Sequence, residues 1–197
     1  KTGINHSTGK NLVGSFYQPT AIVMDCQWLS TLSYEEMRSG FSEIIKYGII
    51  QDLTLFKLLE KEYKTLSLFN FSESKKLWES IITQSCKNKI AVVEADERES
   101  NIRAILNFGH TIGHGIEAYF NYSDYKHGEC VAFGMVAATF IANQKSLITQ
   151  QEAQTIYNLI KAYNYHLIQL NHMNIDKLLT IIKRDKKVKH KTIYFIL

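Results

Sequence analysis

A single proline, Pro19, in a chain of 197 residues is the strongest constraint on what this sequence can fold into. Proline breaks helix interiors but serves freely in turns and at strand edges, so all-β and loop-rich chains normally carry several. Its near absence leaves long helices as the expected architecture. Apolar residues make up 45% of the chain and charged residues 21%, enough to build a core and unlike a disordered or fibrous chain. No run approaches the roughly 18 consecutive apolar residues of a membrane-spanning helix. No charged-then-apolar leader with a small-residue cleavage site opens the chain, and the first residue is Lys1 rather than Met, so the sequence is expected to begin mid-protein.

The hydrophobic period is helical over most of the length. Ser33 with Glu36 forms a capping-box signature, and the apolar positions 37, 41, 44, 45 and 49 predict a helix from Tyr34 to about Ile50. Asp52 or Thr54 is the expected cap of a second helix to about Tyr63. Ser72 opens a longer one reaching toward Asp96. Further helices are expected from about Asn107 to Phe120, Gly128 to Lys145, Thr149 to Tyr163 and Ile175 to Lys187. Residues 1–18, with Gly3, Gly9 and Gly14 among Asn, Ser and Thr, read as a loop. Thr20–Asp25 (TAIVMD) and Thr192–Leu197 (TIYFIL) are the two expected strands, which either pair with each other or complete a sheet supplied by other sequence. The fold class is therefore mainly α, a multi-helix bundle with one short strand near each end.

Three cysteines, Cys26, Cys86 and Cys130, lack a CxxC spacing and sit among apolar neighbours. They read as buried free thiols in a reducing compartment, by default the cytoplasm. The formal charge is +4, with one dense basic run at Lys183–Lys191. That run is too short and local for a nucleic-acid surface, and a phosphorylated or carboxylated small molecule suits the charge better.

Chemistry concentrates in three places. Of seven histidines, His110, His114 and His127 fall within eighteen positions. On a helix, His110 and His114 lie about 40° apart around the axis and about 6 Å along it, so one face carries both. Two imidazoles could then converge on a metal, or one could bind metal while the other handles a proton. An isolated HxxxH is more often two partly exposed polar side chains, but Gly109, Gly113 and Gly115 each cost roughly 1 kcal/mol of helix stability, which suggests a close approach to the backbone. The remaining ligand would be a carboxylate, with Glu43, Glu97, Glu99 and Glu129 unranked by spacing. Second, Glu43 and Lys46 are helix-face neighbours in apolar surroundings that favour burial over an exposed ion pair. Third, Lys87, Lys89, Arg98 and Arg103 bracket an acidic stretch. This is either a solvated connection or one in which Lys89 and Arg103 grip a substrate carboxylate.

The segments KTGINHSTGKN, SGFSEIIKYG, DERESNIRAILNFGHTIGHGIE and HGECVAFGM, in this order and at these separations, resemble the C-terminal part of the 3-dehydroquinate synthase family, and the similarity runs to the closing DKKVKHKTIYFIL. The resemblance implies a mostly helical metal- and substrate-binding domain over residues 1–197, with 1–32 adjoining an N-terminal NAD-binding domain absent from this chain. It implies Zn²⁺ or Co²⁺ held by Glu43, His110 and His127. It also implies a catalytic group of His114, Lys46, Lys1 and Asn107, and substrate contacts from Asn11, Lys89, Arg103 and one of Lys186 or Lys187. NAD contacts would come from Lys1, Lys10, Trp28, Leu29, Ser30 and Thr31. The implied reaction is NAD-dependent oxidation of a sugar phosphate, 3-deoxy-D-arabino-heptulosonate 7-phosphate, then phosphate elimination, reduction and aldol closure to 3-dehydroquinate. A homodimer is implied, with neither nucleic acid nor membrane as partner. Two other readings stand beside it: another sugar-phosphate cyclase, or a non-catalytic helical interaction module or fragment, the latter supported by the lack of any GxGxxG after a strand.

Overall fold

Several helix starts in this chain are set by short polar side chains that take up otherwise unsatisfied backbone N–H groups. The computed structural model describes residues 3–6, 9–15, 17–97, 101–165, 173–185 and 195–197. Within them, Ser33 Oγ accepts from Glu36 N–H at 3.3 Å and opens α1, Tyr34–Ile50. Asp52 Oδ1 accepts from Leu55 N–H at 2.9 Å and opens α2, Leu53–Lys61. A short α3, Tyr63–Leu66, precedes α4, Lys75–Ala95. The second Asp52 oxygen takes Gln84 Nε2 at 2.8 Å and Asn88 Nδ2 at 2.7 Å, both from α4, so one carboxylate caps one helix and pins another. α4 starts later than Ser72 because Asn70 Oδ1 accepts from Ser72 N–H at 3.1 Å, a local turn that competes with helix.

The helix expected from about Asn107 starts three residues later, at His110. Ile102–Asn107 is a 3-10 turn, Gly109 adopts φ 76°, and α5 runs His110–Tyr119. Then come α6, His127–Gln144, α7, Gln150–Ala162, and α8, Ile175–Asp185. α7 opens with a reciprocal capping box between Thr149 and Glu152. The main core lies between α1, α2, α4, α6 and α7, where Phe41 packs against Phe69, Trp78 and Tyr163 with ring centroids 5.4, 5.4 and 4.6 Å apart. A smaller cluster of Ile116, Cys130, Met173, Leu178 and Ile182 joins α8 to α5 and α6.

Two glycines on α6 fix its position. A Cβ on Gly134 would lie 1.9 Å from the Gly109 carbonyl oxygen, and one on Gly128 would lie 2.0 Å from the Ser39 carbonyl oxygen. Only a residue without a side chain lets α6 touch the backbones of α1 and of the α5 start together. That approach brings the first turn of α6 beside both helices.

The helical class is observed, but the strands are not where the sequence suggested. Among the described residues the sheet is a two-stranded antiparallel ribbon, β1 Ile4–His6 with β2 Gly9–Val13, inside the segment read as a loop. Residues 20–25 form no strand and are exposed, Val23 to 94%. Residues 195–197 are also outside any strand, and 192–194 lie outside the described residues. The physical reason is that a strand needs a neighbour for its backbone N–H and C=O groups, and no described strand lies beside either segment. Cys130 is buried as expected, whereas Cys26 and Cys86 are only half-buried; all three are free thiols. Among the described residues no helix is long and apolar enough to cross a membrane.

Gly134→Ala should cost about 1–3 kcal/mol despite better helix propensity, because the added methyl meets a backbone carbonyl; thermal melting checks this, and an unchanged midpoint would mean the helices separate freely. Asp52→Ala should cost about 1–2 kcal/mol at neutral pH through the lost cap, measured by urea unfolding. Burial pushes the Asp52 carboxyl up, but its bonds from Leu55 N–H and from the Asn88 and Gln84 amides outweigh this and hold it below its usual value. Its stabilisation is therefore present above the unfolded carboxyl pKa of about 4 and lost as pH falls through the lower folded value, so the gap to wild type should shrink in acid.

Candidate metal centre

Three helices each present one end or one turn to a common point. From α1, Glu43 and Lys46 lie on one face, three residues apart, and the Lys46 ammonium sits 2.6 Å from Glu43 Oε2. Lys46 is 2% exposed. From α5 come His110, its first residue, and His114 one turn later; from α6 comes His127, also a first residue. The rings of His110 and His114 are 5.3 Å apart, those of His110 and His127 5.5 Å, and those of His114 and His127 5.7 Å. One ligand atom from each of these histidines lies within 4.8 Å of the others. Glu43 Oε1 is 3.1 Å from His110 Nε2 and 3.8 Å from His127 Nε2.

The second nitrogen of each ring decides what the first can do. His110 Nδ1 is 3.1 Å from the Phe108 carbonyl oxygen, and His127 Nδ1 is 3.0 Å from Glu117 Oε2. Carbonyl and carboxylate oxygens only accept, so both Nδ1 atoms carry hydrogen and donate. In the neutral rings, Nε2 of each therefore offers a lone pair toward Glu43 Oε1, itself buried without a hydrogen bond of good geometry. Three facing lone pairs repel unless a cation lies between them, and one carboxylate with two imidazoles is a donor set that suits Zn²⁺ or Co²⁺. A proton can partly meet the same need. The bond to Glu117, then that to Glu43, raises His127 to about 9. Burial alone would raise the Glu43 carboxyl, but its contacts with His110, His127 and Lys46 hold it well below the usual carboxylate range. Lys46 is lowered by burial, against the pull of Glu43, and the Lys89 charge lowers it further. Burial lifts the Tyr47 hydroxyl to about 12, its ring lying 5.5 Å from the Lys46 ammonium.

Glu43, Lys46, His110, His114 and His127 are thus brought together. Lys89, on α4, is close enough for its charge to act on Lys46. Arg103 and Asn107 lie on the 3-10 turn leading into α5, with Arg103 Nη1 donating to the Glu97 carbonyl at 2.7 Å and Arg103 N–H donating to the buried Asp96 carboxylate at 3.1 Å. Of the unranked carboxylates, Glu129 is committed elsewhere. It accepts from Lys126 N–H at 2.9 Å and pairs with Arg38 of α1, tying the start of α6 to α1. Glu97 is exposed, and Glu99 lies outside the described residues. Trp28, Leu29, Ser30 and Thr31 form a separate 3-10 turn, Cys26–Thr31, in which Leu29 packs on the main core while Trp28 is exposed. Lys10 and Asn11 belong to β2. Lys1, Lys186 and Lys187 lie outside the described residues. Sequence reasoning missed Glu117, although its place seven residues after His110, two turns along the same helix face, was a usable signal.

The 3-dehydroquinate synthase C-terminal family matches residues 40–188, and the 3-dehydroquinate synthase N-terminal family matches residues 1–39. Over all 197 residues the chain is 48% identical to the 3-dehydroquinate synthase of Rippkaea orientalis, covering 53% of that protein. It is 39% identical to that of Desulforamulus reducens, covering 54%. The chain thus spans about half the length of the curated relatives it matches. Among solved structures, a 2-epi-5-epi-valiolone synthase from Streptomyces hygroscopicus with NAD⁺ and Zn²⁺ bound superposes with a TM-score of 0.82 at 23% identity, over 96% of this chain and 51% of that one. This likeness concerns the fold. A 2-deoxy-scyllo-inosose synthase complexed with carbaglucose-6-phosphate, NAD⁺ and Co²⁺ gives 0.78 at 27% identity, over 95% and 50%. By its family match and its relatives, the chain belongs to the 3-dehydroquinate synthase family.

Proposed function

We propose that this chain is the metal- and substrate-binding part of a 3-dehydroquinate synthase, a phosphate-eliminating carbon–oxygen lyase that converts 3-deoxy-D-arabino-heptulosonate 7-phosphate to 3-dehydroquinate. The observation that carries the reading is the convergence of the Glu43, His110 and His127 lone pairs beside the buried Lys46 ammonium, in a chain similar to such synthases along its whole length. Identities of 39–48% to these relatives against 23–27% to cyclases that form other carbocycles favour this product over theirs.

In this reading Glu43, His110 and His127 hold Zn²⁺ or Co²⁺, and NAD binds across the junction with the remaining half of the enzyme. Bound there, the metal would supply Lewis-acid stabilisation of negative charge on substrate oxygens, and NAD the hydride acceptor. The chain's own residues bind and orient. Lys46, buried beside Glu43, keeps that carboxylate ionised and presents a cation to the substrate. His114, one turn beyond His110, faces the phosphate end of the substrate with Lys1, Asn11, Asn107 and Lys186 or Lys187, while Lys89 and Arg103 take the carboxylate and neighbouring oxygens. Cations that hold a dianionic phosphate steady also make it a better leaving group. Lys10 and Trp28–Thr31, with Lys1, face the cofactor.

Residues 1–32 adjoin the NAD-binding domain. That is supported by the match of residues 1–39 to the N-terminal family and by the exposure of Tyr17, Ile22, Val23, Met24 and Trp28, an apolar surface of the kind a second domain covers. A homodimer in the cytoplasm completes the proposal.

The purified chain should bind about one Zn²⁺ or Co²⁺, measured by mass spectrometry of the metal, and His110→Ala or His127→Ala should each abolish it; retention in both variants would overturn the ligand set. Alone, the chain should release no phosphate from the heptulosonate phosphate. Fused behind the N-terminal half of the Rippkaea orientalis relative, it should form 3-dehydroquinate. A well-folded fusion that forms a different carbocycle would point to another cyclase.

A further inference from the structure

We infer that Glu117 is a positioning residue for the metal centre: its buried carboxylate locks His127 in the one tautomer and orientation that can ligate the cation. The inference rests on the metal-binding reading above and deepens it.

His127 is the least restrained of the three proposed ligands. It is the first residue of α6, it follows a chain reversal in which Asn121 and Tyr122 both take left-handed φ values of 51° and 59°, and its side chain is 39% exposed, against 13% for His110. An imidazole so placed can rotate, and its tautomer is set only by what faces the second nitrogen. What faces it is Glu117 Oε2, 3.0 Å from Nδ1. The carboxylate can only accept, so Nδ1 carries a hydrogen, and in the neutral ring the lone pair is left on Nε2, which faces Glu43. The opposite tautomer would aim an N–H at the cation position.

Glu117 suits the task because it is itself immobile. It is 3% exposed and lies in the last turns of α5, two turns beyond His110 on the same face. Desolvating a carboxylate costs several kcal/mol unless partners compensate, and the His127 Nδ1–H is such a partner. α5 thus presents His110, His114 and the anchor of His127 on one stripe, and His127 is held by α5 although it belongs to α6. A carboxylate on the second nitrogen of a ligating histidine also strengthens the ligand as a donor.

The test compares Glu117→Gln and Glu117→Ala with wild type and with His110→Ala, all in the full chain. Zn²⁺ affinity is measured by chelator competition, the Co²⁺ absorption spectrum reports ligand geometry, and thermal melting of the metal-free protein monitors the fold. Glu117→Gln keeps an acceptor for Nδ1–H without the charge and should weaken Zn²⁺ binding by about 10-fold; Glu117→Ala should weaken it by up to about 100-fold and alter the Co²⁺ spectrum. If Glu117→Ala does not fold, the isosteric Gln variant carries the test. Wild-type affinity and spectrum in a folded Gln variant, with binding lost in His110→Ala, would overturn the role of Glu117 alone. Failure of the wild type to bind either ion would overturn the metal reading and this inference with it.

Discussion

The contact on which the structure depends is made between backbones: α6 crosses α1 and the start of α5 with no side chain in between. Gly128 lies against the Ser39 carbonyl and Gly134 against the Gly109 carbonyl, at separations that no Cβ could share. A helix crossing normally keeps axes 8–10 Å apart on a cushion of side chains, and that cushion would hold His127 away from Glu43. Removing it at two points of one helix lets three elements that are distant in sequence share a site a few ångströms across. The left-handed Gly109 serves the same end, since it closes the 3-10 turn and starts α5 at His110.

Once the backbones are that close, electrostatics dictates the rest. Glu43 carries two different loads, with Oε2 paired to the Lys46 ammonium and Oε1 facing two imidazole nitrogens. Phe108 and Glu117 occupy the far nitrogens of those imidazoles, so in the neutral rings the lone pairs sit on the near ones. The site is therefore preorganised for a positive charge, and the bonds to Glu117 and Glu43 raise His127 to about 9. The Arg38–Glu129 pair reinforces this from outside by tying the first turn of α6 to α1.

Much of the helical frame was legible from particular residues. Ser33, Asp52 and Thr149 start helices because their side chains accept from the N–H groups the helix leaves bare, and the apolar period supplied the rest. The strands misled because local propensity cannot provide a partner. TAIVMD has the composition of a buried strand, yet its residues are exposed and unpaired with any described strand, while the Gly- and Asn-containing segment before it forms the ribbon. The site was half legible. The HxxxH spacing and the nearby His127 announced a cluster, but spacing could not rank Glu43, Glu97, Glu99 and Glu129, of which the family resemblance singled out Glu43, and Glu117 passed unnoticed because its partner lies ten residues away across a chain reversal.

By itself, then, the sequence determined the helical class, most helix limits and the histidine cluster, because periodicity, capping and i,i+4 spacing act over a turn or two of chain. Apart from the family resemblance that pointed to Glu43, only the tertiary structure decided which carboxylate faces the histidines, which one caps α6 instead, and which one holds His127 from behind. Those choices depend on distances between helices, and the distances follow from glycine contacts whose partners, Ser39 and Gly109, lie 89 and 25 positions away from Gly128 and Gly134. No local pattern carries that information, since a glycine reads the same whether it ends a turn or admits another backbone.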